Sequence, residues 1–123
     1  MNLILKEECY KIVGICMEIH RILGCGLLES VYKDALEHEL SLHKIPYERE
    51  KMFEIPYKTI ILQHRFYADF VVYNNIIIEI KAVSAINDTH TAQTINYVRL
   101  SNGQLGIIIN FGQPSLEYKR LVL

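Results

Sequence analysis

Asn75-Ile-Ile-Ile-Glu-Ile-Lys-Ala-Val83 is the stretch that decides how this chain reads. Its isoleucines and valine would make a central strand apolar on both faces, were it not for Glu79 and Lys81. Residues two apart in a strand point the same way, so these two share a face while Ile78 and Ile80 take the other. Burying a carboxylate and an ammonium costs several kcal/mol each unless they are paired or metal-bound, so the interruption suggests function. An edge-strand ion pair is the plainer alternative.

Asp69 interrupts the preceding β run, Arg65-Phe-Tyr-Ala-Asp-Phe-Val-Val72, and returns to Glu79 across a hairpin turning at Asn74-Asn75, residues that tolerate positive φ. Register matters here. A two-residue loop would pair Asp69 with Ile80 and put Asp69 on the wrong face, so a three-residue loop or a bulge is expected. Two carboxylates beside a lysine suit a hard divalent cation, Mg²⁺ or Mn²⁺, with the ammonium positioning an attacking water; phosphodiester hydrolysis is the matching chemistry.

Working outward, apolar residues at helical spacing predict an amphipathic helix from about Leu5 to Leu23, on Cys9, Ile12, Val13, Cys16, Ile19 and Leu23. Gly24 and Gly26 turn the chain into a second helix with Leu28, Val31, Tyr32, Ala35, Leu36 and Leu40 inward. β runs follow at 47–55, 58–63, 66–73 and 76–83. A third helix, capped by Asp88 or Thr89, reaches about Leu100 and ends at Gly103. Strands at 104–111 and 116–123 complete the order ααββββαββ, an α/β (α+β) fold opened by a helical hairpin.

Glu29 opens the second helix at its positive end, within reach of a metal, although Lys33 at i+4 offers it an ordinary surface partner. Gln93 and Tyr97, also i and i+4, can line a wall beside the sheet. The five histidines show no metal-ligand spacing.

At 123 residues with 50% hydrophobic content the chain fits one domain, 1–123. A formal net charge of -1 excludes bulk attraction to a polyanion, so a nucleic-acid partner would need a local track, for which Lys44, Arg49, Lys51, Lys58, Arg65, Lys119 and Arg120 are candidates. Three cysteines without a C-x-x-C pair argue against a disulfide framework or structural zinc. No apolar run approaches the ~20 residues of a membrane span, and the N-terminus lacks a signal-peptide layout, so a cytoplasmic protein without membrane association is expected.

The set Gly26-Leu-Leu-Glu29, Tyr32, Asp69, Glu79-Ile-Lys81, Gln93 to Tyr97 and Asn110-Phe-Gly112 resembles the GxxExxY family of the PD-(D/E)XK nuclease superfamily over nearly the whole chain. Gln93-x-x-x-Tyr97 resembles the QxxxY motif of RecB-like nucleases. The resemblance implies a restriction-endonuclease-like αβββαβ core with a mixed sheet flanked by helices. It also implies a metal on Asp69 and Glu79, and Lys81 serving the water. Glu29 and Gln93 complete the implied site, Ile80 joins Asp69, Glu79 and Glu29 in the metal-binding set, and Gln93, Tyr97 and Tyr32 would meet substrate. A metal-dependent nuclease acting on DNA follows, aided by a homodimer or a partner protein because so small a monomer offers little binding surface. A non-cleaving nucleic-acid-binding or regulatory module on the same fold is the alternative.

Overall fold

The computed structural model describes residues 5–123. Its elements are α1 (Lys6–Leu23), α2 (Glu29–Leu42), β1 (Tyr47–Tyr57), β2 (Ile60–Val72), β3 (Ile76–Lys81), α3 (Asp88–Ser101), β4 (Leu105–Asn110) and β5 (Glu117–Val122). The sheet order is β1-β2-β3-β4-β5, antiparallel except for the β3–β4 pair. This is the α+β class with a mixed sheet and helices on both faces. No helix among the described residues is long and apolar enough to cross a membrane.

The two β runs expected at 58–63 and 66–73 are one strand, β2, so the order is ααβββαββ. The polar run Gln63-His64-Arg65 does not break it, because here the β1–β2 hairpin projects beyond the helices and neither face needs apolar residues. Lys58, expected to start a strand, sits in the turn at φ 55°.

α1 buries Cys9, Ile12, Val13, Ile15, Cys16, Ile19 and His20. Leu23, the last residue of α1, drops out of the expected stripe and is exposed. In α2 the buried row is Tyr32, Leu36 and Leu40, successive i+4 positions. Leu28 precedes the helix with extended backbone and is exposed, and Val31 lies one step around from that row. The α3 cap is Asn87, not Asp88 or Thr89: its Oδ1 accepts from the His90 N–H while His90 Nδ1 accepts from the Asn87 N–H. α3 ends on Asn102 in the left-handed conformation, one residue before Gly103.

β3 and the whole of β4 are buried between two layers. Under α1 and α2 lies the larger core, with Tyr32, Leu36, Phe70, Val72, Ile78, Ile80, Ile107, Ile109 and Phe111 among its members. Under α3 lies a small one of Ala68, Val71, Ile77 and Val98, with Phe53 and Tyr97 packed against it. A Cβ at Gly106 would stand 2.8 Å from Val98 Cγ2 and 2.9 Å from Thr94 Cγ2, so glycine there lets α3 approach β4.

Strict alternation would keep Phe66, Ala68, Phe70 and Val72 on one face. Instead Phe70 and Val72 face α1 and α2, whereas Ala68 belongs to the α3 side, where Phe66 stacks on Tyr97. β1 switches in the same way, from Tyr47 on one face to Phe53 on the other. The change falls at Glu50 and Asp69, which the register sets opposite each other between the Arg49↔Phe70 and Lys51↔Ala68 pairs. Glu50 makes it with φ 52°, a left-handed backbone that is uncommon for a residue with a Cβ.

Candidate active site at the head of the β2–β3 hairpin

The β2–β3 ladder pairs Val72↔Ile76, Val71↔Ile77 and Phe70↔Ile78 and then stops. Three residues, Tyr73-Asn74-Asn75, join the strands, as the register argument required, with positive φ at Tyr73 (54°) and Asn74 (66°) and not at Asn75. That register sets Asp69 level with Glu79, where side chains replace the ladder. The Asp69 N–H donates to Glu79 Oε2 at 2.8 Å, and the Ile80 N–H donates to Asp69 Oδ2 at 2.8 Å. Each carboxylate thereby satisfies a main-chain donor of the strand that carries the other. The two strands splay only as far as this exchange allows.

Glu79 is 4% exposed. Burial first, and then the charge of Asp69, push its carboxyl up to about 8, against the pull of the Asp69 N–H, Lys81 and Lys33. Glu29, at the first turn of α2, is raised by burial and by Asp69 and lowered by Lys81 and Lys33. The Tyr97 hydroxyl on α3 is raised by burial and by Glu79 and Asp69, with Gln93 hydrogen-bonding against the shift. Residues from α2, β2, β3 and α3 thus lie in one electrostatic neighbourhood. Lys81 ends β3 half-buried, level with Asn110 of β4.

Two of the expected placements change. Tyr32 is fully buried, stacked on Phe111 at 4.4 Å; its hydroxyl donates to the Gly24 carbonyl at 2.6 Å and accepts from the Leu27 N–H at 3.2 Å. It pins the Gly24–Leu27 turn that aims the start of α2, and no surface is left to touch substrate. Lys33 does not serve Glu29 on a solvated face. Its ammonium bridges Asp69 Oδ1 at 3.0 Å and Glu50 Oε1 at 2.5 Å. Burial works against that charge, but the bonds to Glu50 and Asp69 prevail and raise the Lys33 pKa.

Asn110-Phe-Gly112 acts as a clamp behind Lys81. Buried Asn110 accepts from the N–H groups of Val83 and Gly112 at 2.9 and 3.0 Å, and its amide donates to the Val83 carbonyl and Glu117 Oε1 at 3.0 and 2.9 Å. Glu117 Oε1 also accepts from Ile86 N–H at 3.0 Å, which fixes the chain leaving β3. The expected cation track is partly neutralised, since Arg49 pairs with Asp34 and Glu37, Lys51 with Glu48, and Arg65 with Glu54.

Among the described residues, no group of three or more His, Cys, Asp or Glu side chains is assembled to hold a metal. Mg²⁺ needs only one or two carboxylates with water completing its shell, and Asp69 with Glu79 offers that hard oxygen pair. Burial and then the neighbouring Asp69 charge oppose ionisation of Glu79, and a divalent cation between the two carboxylates would offset both, so the residues fit such an ion. Ile80 could contribute only its main-chain carbonyl.

In fold the chain is similar to the solved structure of SSO0001, with a TM-score of 0.62 at 20% identity over 76% of this chain and 50% of that one. The chain thus spans about half the length of that protein. No curated protein matches. The family model of the PD-(D/E)XK nuclease superfamily matches residues 6–121, which include every carboxylate and lysine of the site, and by that match the chain belongs to the PD-(D/E)XK nuclease superfamily.

Proposed function

We propose that the chain is a Mg²⁺- or Mn²⁺-dependent phosphodiesterase that hydrolyses DNA. The reciprocal Asp69–Glu79 pairing carries the reading, because it holds two carboxylates together in a buried place where a cation would relieve their repulsion. Asp69, Glu79 and the Ile80 carbonyl would hold the ion, with Glu29 reaching it through water, and when bound it supplies Lewis-acid stabilisation of the phosphate charge. Lys81 positions the attacking water and favours its deprotonated form. Gln93 and Tyr97, contributed by α3, contact the substrate backbone.

Membership of the superfamily supports nucleic acid as substrate. The order of Gly26, Glu29, Tyr32, Gln93 and Tyr97 supports a GxxExxY-type member with a RecB-like QxxxY helix. A single nuclease-like unit over 1–123, a cytoplasmic setting, and a homodimer or partner that extends the substrate surface belong to the same reading. The alternative, a non-cleaving binding module, draws on Lys33, whose ammonium already lies on Asp69.

Labelled single- and double-stranded DNA and RNA, incubated with Mg²⁺ or Mn²⁺, should be cut by the native chain. Chelator, Asp69→Asn and Lys81→Ala should each abolish cutting. Equal cutting by all three proteins would point to contamination, and cutting by none would favour the binding module.

A further inference from the structure

Lys33 and Glu50 are the two charged groups at this site that the proposed chemistry leaves without a task. Lys33 contacts both Glu50 and Asp69, and its side chain is 13% exposed, as is that of Asp69, while that of Glu50 is 48% exposed. An ammonium with two carboxylate partners, one inside the site and one at its rim, can leave the inner one without losing its counter-charge. Glu50 is held at that rim by a left-handed backbone in mid-strand, directly across from Asp69. Glycine would adopt this conformation at less cost, so the position is occupied by a carboxylate against the backbone's preference.

We propose that Lys33 is a positioning residue acting as a cation latch. In the metal-free protein it neutralises Asp69 and holds that carboxylate in place, and when a divalent ion binds it moves fully onto Glu50. The inference rests on the metal-dependent reading above and adds that metal affinity is set by competition with this internal ammonium. Glu50 acts through Lys33 and is not itself a ligand. Two opposed consequences follow from the charges. Removing the ammonium should tighten metal binding, although it loosens the metal-free protein. Removing the Glu50 charge should confine Lys33 to Asp69 and weaken binding.

Calorimetric titration of the intact chain with Mn²⁺ tests this, with thermal unfolding in the absence of metal as a second readout. Lys33→Met should bind Mn²⁺ roughly tenfold more tightly than native and unfold at a lower temperature, and Glu50→Gln should bind roughly tenfold more weakly, the scale on which groups around metal ligands act. In the double variant the Glu50→Gln effect should vanish, because no ammonium remains to be redirected. Weaker binding by Lys33→Met would overturn the latch and leave Lys33 a purely structural support. Equal weakening by Glu50→Gln with and without Lys33 would also overturn it, making Glu50 a ligand. If native protein binds no Mn²⁺, the metal reading itself falls, whereas native binding with unchanged variants sinks only the latch.

Discussion

On the α1 and α2 side of the sheet, Tyr32, Leu36, Phe70, Ile78, Ile107 and Phe111 interlock in a continuous apolar core; on the α3 side, four buried residues are joined by Phe53 and Tyr97, and strand alternation puts Glu79 on the same side as Ile77. The same β3 strand serves both, with Ile78 and Ile80 turned to the first and Ile77 to the second. One face supplies most of the burial, and the other can then accommodate Asp69 and Glu79. Phe70→Ala should break this contrast most strongly, costing about 3–5 kcal/mol in denaturant unfolding, against roughly 2 kcal/mol for Val98→Ala. Equal costs would mean that the α3 face shares the load.

The α3 side should also carry the protein's pH sensitivity. The folded chain raises the Glu79 carboxyl from the ordinary 4.5 to about 8, so between those values it binds a proton more tightly than the unfolded chain does. Glu79 therefore favours folding fully below about pH 4.5, and that contribution is lost as pH rises through about 8, by about 1.4 kcal/mol per pH unit at most. Metal-free protein should unfold more readily at pH 8 than at pH 5. Glu79→Gln should flatten the profile and make the metal-free chain more stable than native at pH 8. Native stability that rises with pH across this window would refute the assignment.

What could be read from the sequence divides along similar lines. β3, the Asn-containing turn and the juxtaposition of Asp69 with Glu79 were legible because strand alternation and hairpin register are local arithmetic on neighbouring residues. Lys33 was assigned to Glu29 by the equally local i,i+4 rule, but its partners come from β1 and β2, distant in sequence. Nothing marks Glu50 for positive φ, since glutamate is not a residue that conformation selects. His64 and Arg65 looked like a break because polarity is expected to end a buried strand, and whether a hairpin outruns its core is a tertiary fact. Tyr32 was legible as a buried position, while the use of its hydroxyl depended on where the Gly24–Leu27 turn lies.

A smaller effect sharpens the boundary between the two faces. A Cβ at Gly112 would stand 2.1 Å from the Val83 carbonyl oxygen and 2.4 Å from its nitrogen, both main-chain atoms held by Asn110. Gly112→Ala should cost about 1–3 kcal/mol by forcing the strand exit away from the Asn110 clamp. Because Lys81 lies just before that exit, amide hydrogen exchange at Val83 and Ile86 should speed up while the α1–α2 core stays protected. Unchanged exchange at both amides would show that the clamp does not hold the site.

The finest probe is Tyr97, which belongs to both the small core and the charged neighbourhood. Its ring stacks on Phe66 at 4.4 Å, while its hydroxyl lies near Glu79 and Asp69 and within Gln93's reach. Tyr97→Phe keeps the stack and removes only the hydroxyl, so stability should fall by no more than about 0.5–1.5 kcal/mol, the net worth of an ordinary hydrogen bond. Tyr97→Ala would also lose the aromatic packing and should cost clearly more. If the hydroxyl serves only the fold, Tyr97→Phe leaves Mn²⁺-dependent cutting untouched; if it meets the substrate backbone, KM rises with little change in stability. The second result is expected, because a hydroxyl that feels the charge of both carboxylates lies in the neighbourhood of the site as well as at the edge of the core.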